Sequence, residues 1–158
     1  MLIKIIVFVV VSTTYALDLE DPRLGAIPVL STTQGGRPGV CQTVRDDAEK
    51  ERIKTYINDN IKKLEARSGR SGSPRHLLVD LHEAIEQQVQ GKNIKVIFSV
   101  GQVKANAPQT IDEYGQYGKC YFKLHLPSNV NEAVLQEHAC IKIIKTADHD
   151  DQHHRHSQ

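Results

Sequence analysis

Tryptophan is absent from this 158-residue chain, and phenylalanine occurs only three times. Any binding surface it makes therefore lacks a tryptophan, one of the aromatic anchors most often worth about 2 kcal/mol or more in an interface. An excess of one charge is missing too. Lysine and arginine number 20 against 19 aspartates and glutamates, a net charge of +1, which gives no basis for proposing nucleic acid or an anionic membrane as partner. No Asn-x-Ser/Thr sequence occurs, so N-glycosylation is not expected. Enzyme signatures are also missing. His82-Glu83 has no second histidine at the spacing of a zinc-binding His-Glu-x-x-His helix, and there is no Gly-x-Ser-x-Gly elbow or phosphate-binding glycine loop. Cys41 lacks the Cys-Gly-x-Cys-aromatic setting of a cysteine protease. Neither enzymatic activity nor a cofactor is expected.

What is present begins with a targeting segment. Met1 to Ala16 has Lys4, an apolar run from Ile5 to Val11, and small residues at Thr14 and Ala16. This pattern predicts a secretory signal peptide over 1–16, too short to span a membrane, and hence a secreted, extracellular protein in which cysteines can pair. The remainder is enough for one domain. Residues 17–43 contain Pro22, Pro28, Gly35-Gly36 and Pro38-Gly39 without sustained periodicity, and read as a flexible arm. Residues 44–145 are the expected domain. Residues 146–158 are a His/Asp-rich tail, read as solvated and disordered, in which His149, His153, His154 and His156 are weak candidates for binding zinc or copper.

Within the domain, Ile53, Tyr56, Ile57, Ile61 and Leu64 recur at steps of three and four between charged residues. They predict one amphipathic helix that starts near Thr43 or Asp46 and stops at Ser68-Gly69. Arg67 to Pro74 reads as a flexible basic loop. Strands follow. Val79 and Leu81 alternate with Asp80 and His82, and Ile94, Val96, Phe98 and Val100 alternate with Lys95, Ile97 and Ser99. The period of two on both sides of Gln87-Gln88-Val89-Gln90-Gly91 predicts a β-hairpin whose tip carries one apolar residue, Val89. Gly101 to Lys119 is polar and reads as a loose excursion, after which Phe122 to Leu126 and Val134 to Ile144 supply the last two strands around a turn at Pro127-Ser128-Asn129.

Gln87-x-Val89-x-Gly91 resembles the Gln-x-Val-x-Gly first-hairpin motif of the cystatins, inhibitors of papain-like cysteine proteases. The order of signal peptide, glycine-bearing arm, helix, hairpin and C-terminal cysteines is similar to that of the secreted, type 2 members. The resemblance covers roughly Gly35 to Cys140, and it implies an α+β fold with an antiparallel β-sheet wrapped around one long α-helix. It implies a disulfide between Cys120 and Cys140, which flank the final hairpin. Cys41 is then left over, either as a buried or capped thiol or as the link of a disulfide-bonded dimer.

The resemblance also implies a function. A reversible inhibitor would occlude the cleft of a cathepsin-type enzyme with three elements: the arm, hinged at Gly35 or Gly36 with Gly39 as a further candidate; the first tip, Gln87, Gln88, Val89, Gln90 and Gly91; and the second turn, Pro127, Ser128 and Asn129. The chain departs from the family at that turn, where type 2 members carry Pro-Trp and this chain has Ser128-Asn129. An inhibitor without that anchor is expected to bind roughly thirtyfold more weakly; Leu126-Pro127 resembles the Leu-Pro of the stefins. The loop from Arg67 has no asparagine, so inhibition of legumain-type proteases is not carried over. The alternative is a non-inhibitory cystatin-fold binding protein using its tail or Cys41.

Overall fold

The computed structural model of the chain describes residues 27–30, 39–67 and 75–143. The signal segment, Gly35 and Gly36, most of the basic loop and the histidines of the tail lie outside them. Along the chain come β1 (Cys41–Thr43), α1 (Asp47–Arg67), β2 (His76–Val89), β3 (Gly91–Lys104), β4 (Ala107–Ile111), β5 (Tyr117–Leu126) and β6 (Val134–Ile143). The strands pair antiparallel in the order β1-β2-β3-β5-β6, with β4 on the far end of β3.

The helix starts at Asp46, whose carboxylate accepts the Glu49 N–H at 3.1 Å and whose carbonyl accepts the Lys50 N–H. That N-cap satisfies donors the first turn would otherwise leave open. The expected stripe is the buried one: Ile53, Ile57 and Ile61 are fully buried and Leu64 nearly so, with Tyr56 packed beside them. They meet Ile94, Val96, Phe98 and Val100 of β3 and Cys120, Phe122 and Leu124 of β5. Phe98 and Phe122 touch edge to face with ring centroids 4.8 Å apart. Each such side chain removed from water stabilises the fold by about 1.5–3 kcal/mol. One helix against one antiparallel sheet is the fold class expected from the sequence.

The Cys120–Cys140 disulfide is present, between residues directly opposed on β5 and β6 with Cα atoms 4.1 Å apart. Closing a loop of 20 residues contributes about 3 kcal/mol by limiting the unfolded chain.

The structure differs from the sequence expectations in three places. Cys41–Thr43, assigned to the arm, forms β1, pairing Cys41 with Gln87 and Thr43 with Ile85. Val79 does not share the buried face with Leu81, because the register shifts between Leu78 and Asp80 and again between Leu81 and Glu83. Each bulge inserts one extra residue, so Leu78, Leu81 and Ala84 face the core while Val79 is half exposed. Finally, 101–119 is not loose. β3 runs on to Lys104, reverses through Ala105-Asn106 and returns as β4, where Pro108 is tolerated on an edge strand.

Candidate functional site

Three segments meet at one end of the sheet. The first is the start of β1, where Gly39 has φ of 88° and its carbonyl accepts a hydrogen bond from the Gln87 side-chain amide. The second is the β2–β3 tip. Val89 pairs with Gly91 across Gln90, and the Gln88 side-chain amide donates to the Gly91 carbonyl at 2.9 Å. Gly91 has φ of 90°, a conformation open to glycine and strained for other residues. The third is the β5–β6 loop, where the Val130 N–H donates to the Pro127 carbonyl at 3.3 Å.

Contacts between these segments fix their relative position. A Cβ added at Gly91 would lie 2.4 Å from the Leu126 carbonyl oxygen and 3.2 Å from the Pro127 Cα. The two hairpins therefore touch backbone to backbone at this point. Beside it, the His125 ring Nδ1 lies 2.8 Å from Asn93 Oδ1. Lys92, directly behind the tip, ties the first hairpin to the helix, with its ammonium 3.0 Å from Glu49 and 2.8 Å from Glu86. Burial lowers its affinity for the proton, but hydrogen bonds to Glu86 and Glu49 outweigh it and hold the Lys92 pKa above its ordinary value.

The helix also fastens the second loop. Asn60 is buried, and its side-chain amide donates to Tyr56 O at 2.9 Å and to Ala133 O at 3.1 Å. Lys63 pairs with Glu132 on the surface nearby.

The expected site residues consequently divide by role. Gln87 and Gln88 use their side-chain amides in hydrogen bonds, one to the Gly39 carbonyl of the arm and one across the tip, although Gln88 itself is exposed. Val89 (39% exposed) and Gln90 face solvent, as do Ser128 and Asn129. Pro127 stands against Gly91. Gly39, the further candidate for the arm, lies beside Gln87; Gly35 and Gly36, the first candidates, lie outside the described residues. Val130, 49% exposed, lies beside them in the second loop and was not among the expected residues. Its signal was an apolar residue within a polar turn, the same feature that singled out Val89. Cys41 is a free, half-buried thiol at the first residue of β1.

The chemistry available is contact. Two tips, each with an exposed valine, and the end of the arm lie at one edge of the sheet. A cavity of about 390 Å³ lies away from this edge, on the flank between Leu30, Val44, Lys50 and the bulged stretch Leu81–Ile85. Among the described residues no group of three or more His, Cys, Asp or Glu is arranged to hold a metal ion, and no helix is long and apolar enough to cross a membrane.

Comparison with solved structures bears on the fold. The chain is similar to the crystal structure of dimeric human cystatin F, with a TM-score of 0.52 and 11% identity, over 70% of this chain and 92% of that one. The fold is cystatin-like. No protein-family model and no curated protein matches the sequence, and at this identity the likeness speaks for the fold alone. Gly39, the first tip and the second loop share one end of this cystatin-like sheet.

Proposed function

We propose that the protein is a secreted, reversible inhibitor of papain-like cysteine proteases that fills the active-site cleft with this edge. The observation that carries the reading is the convergence of Gly39, the Val89-Gln90 tip and the Pro127–Val130 loop, with Val89 and Val130 exposed at the front. Val89 enters the dry centre of the cleft and Val130 takes the place of the missing aromatic anchor. Neither presents a peptide bond positioned for attack, so inhibition is by occlusion. The hairpins are held by Lys92, Asn60 and the contact at Gly91, which limits the ordering cost on binding to the arm.

The test is a steady-state titration of papain or a cathepsin L-type enzyme with disulfide-bonded protein. Inhibition at nanomolar to micromolar level is expected. Val89→Asp sets an unpaired carboxylate in a dry interface, at about 3 kcal/mol, and weakens inhibition about a hundredfold. Unchanged inhibition by this variant, with native circular dichroism, removes the tip from the site. A second reading, a cystatin-fold binding protein without inhibitory action, is favoured by the polar Ser128-Asn129 where an anchor is expected. Complete absence of inhibition by the wild-type chain selects it. Cys41, half-buried on an edge strand, is the proposed link of a disulfide-bonded dimer; sizing chromatography with and without reductant decides that point.

A further inference from the structure

At the opposite end of the sheet Tyr114 is 97% exposed. It stands on a built turn. Residues 112–116 connect β4 to β5 and are organised around Gln102 of β3. The Asp112 N–H donates to the Gln102 carbonyl at 2.7 Å, the Gln102 N–H to the Gln116 carbonyl at 2.9 Å, and the Gln116 N–H to the Gln102 side-chain oxygen at 3.1 Å. Asp112 accepts the Tyr114 N–H on its carboxylate at 3.1 Å and the Gly115 N–H on its carbonyl at 3.0 Å. Gly115 is seated so closely on β3 that a Cβ there would lie 2.9 Å from the Gln102 Cβ. The backbone is pinned on both sides of Tyr114, and the ring projects outward.

Two acidic residues, Asp112 and Glu113, immediately precede it. The other described tyrosines are not presented in this way. Tyr56 packs against the core, Tyr117 is half-buried and Tyr121 is 6% exposed.

We propose that Tyr114 is a site of tyrosine O-sulfonation, with phosphoadenosine phosphosulfate as the donor. The phenol oxygen bonds to the sulfur, the bond from sulfur to the nucleotide phosphate breaks, the phenolic proton passes to a base of the transferase, and the nucleoside bisphosphate leaves. No oxidation state changes. A transferase that handles this anionic donor offers a basic surface, to which Asp112 and Glu113 are complementary in charge. The proposal rests on the secretory part of the proposed function, because such transfer takes place in the secretory lumen. It does not rest on the edge proposed to meet the protease, since the register from Lys92 to Gly101 puts the two ends about 30 Å apart.

The experiment exposes the disulfide-bonded full chain to detergent-solubilised Golgi membranes with radiolabelled donor, which makes the result independent of the chain's own route. Label on wild-type protein, lost in Tyr114→Phe and reduced roughly tenfold in Glu113→Lys, as expected for loss of a charge-assisted contact, supports the site. No label on the wild type overturns it, as does label that survives Tyr114→Phe or is indifferent to Glu113→Lys. Labelling of Tyr114 from ATP but not from the sulfate donor also overturns it. Papain titration of Tyr114→Phe should match wild type; failure of the inhibitor reading then appears in the titration and failure of this one in the labelling.

Discussion

Replacing Gly91 by alanine tests how the two hairpins are joined, and Gly39→Ala supplies the control. Both glycines have nearly the same positive φ, 90° and 88°, so both substitutions carry the left-handed penalty of about 1–2 kcal/mol. Each regains about 0.4–1 kcal/mol because alanine restricts the unfolded chain. The surroundings differ. A Cβ at Gly39 meets nothing within 4 Å, whereas one at Gly91 lies 2.4 Å from the Leu126 carbonyl oxygen, a backbone atom that moves only if β5 moves. Overpacking of this kind costs about 1–3 kcal/mol. The net expectation is about 3 kcal/mol for Gly91→Ala and under about 1 kcal/mol for Gly39→Ala. In urea, with a slope of about 2 kcal/mol per molar, the midpoint falls by about 1.5 M and by less than about 0.5 M respectively. Far-ultraviolet circular dichroism follows the transition. Equal midpoint shifts for the two variants would refute the backbone contact, and with it the account of how the edge is held.

Other perturbations read other parts of the frame. Reduction of Cys120–Cys140, or the double alanine variant, should lower stability by about 3 kcal/mol or more, since the pair is also buried in the core; a shift under about 1 kcal/mol would argue against that role. Asn60→Ala leaves the Ala133 carbonyl without its helix donor and should cost about 1–3 kcal/mol, with faster amide exchange over 130–133. His138, packed edge-on to Phe122 at 6.3 Å, has its pKa lowered by burial. The unfolded chain therefore binds more protons just below pH ~6.5, so this part of stability is intact above that pH and falls as pH drops towards the lowered folded value. His138→Gln should flatten that part of the urea midpoint's pH profile, and an unaltered slope would contradict the assignment.

Sequence alone determined the helix, the long strands and most of their inward faces. The three- and four-residue spacing from Ile53 to Leu64 names the buried side of the helix, because a helix turns once in 3.6 residues, and the alternation from Ile94 to Val100 does the same for β3. Gly91 at the end of a polar tip announced the chain reversal. Tertiary structure decided what depends on neighbours distant in sequence. The bulges at Val79 and His82 follow from matching β2 to β3, so the local alternation misassigned Val79. β1 and β4 are too short to show a period and exist because β2 and β3 offer them an edge. The division of the hairpin into Gln87 and Gln88, which hold it together, and Val89 and Gln90, which face outward, was fixed by where Gly39 and Gly91 place their carbonyls. The pattern of side chains is carried by the chain itself, whereas a hydrogen-bond partner many residues away is supplied only by the fold.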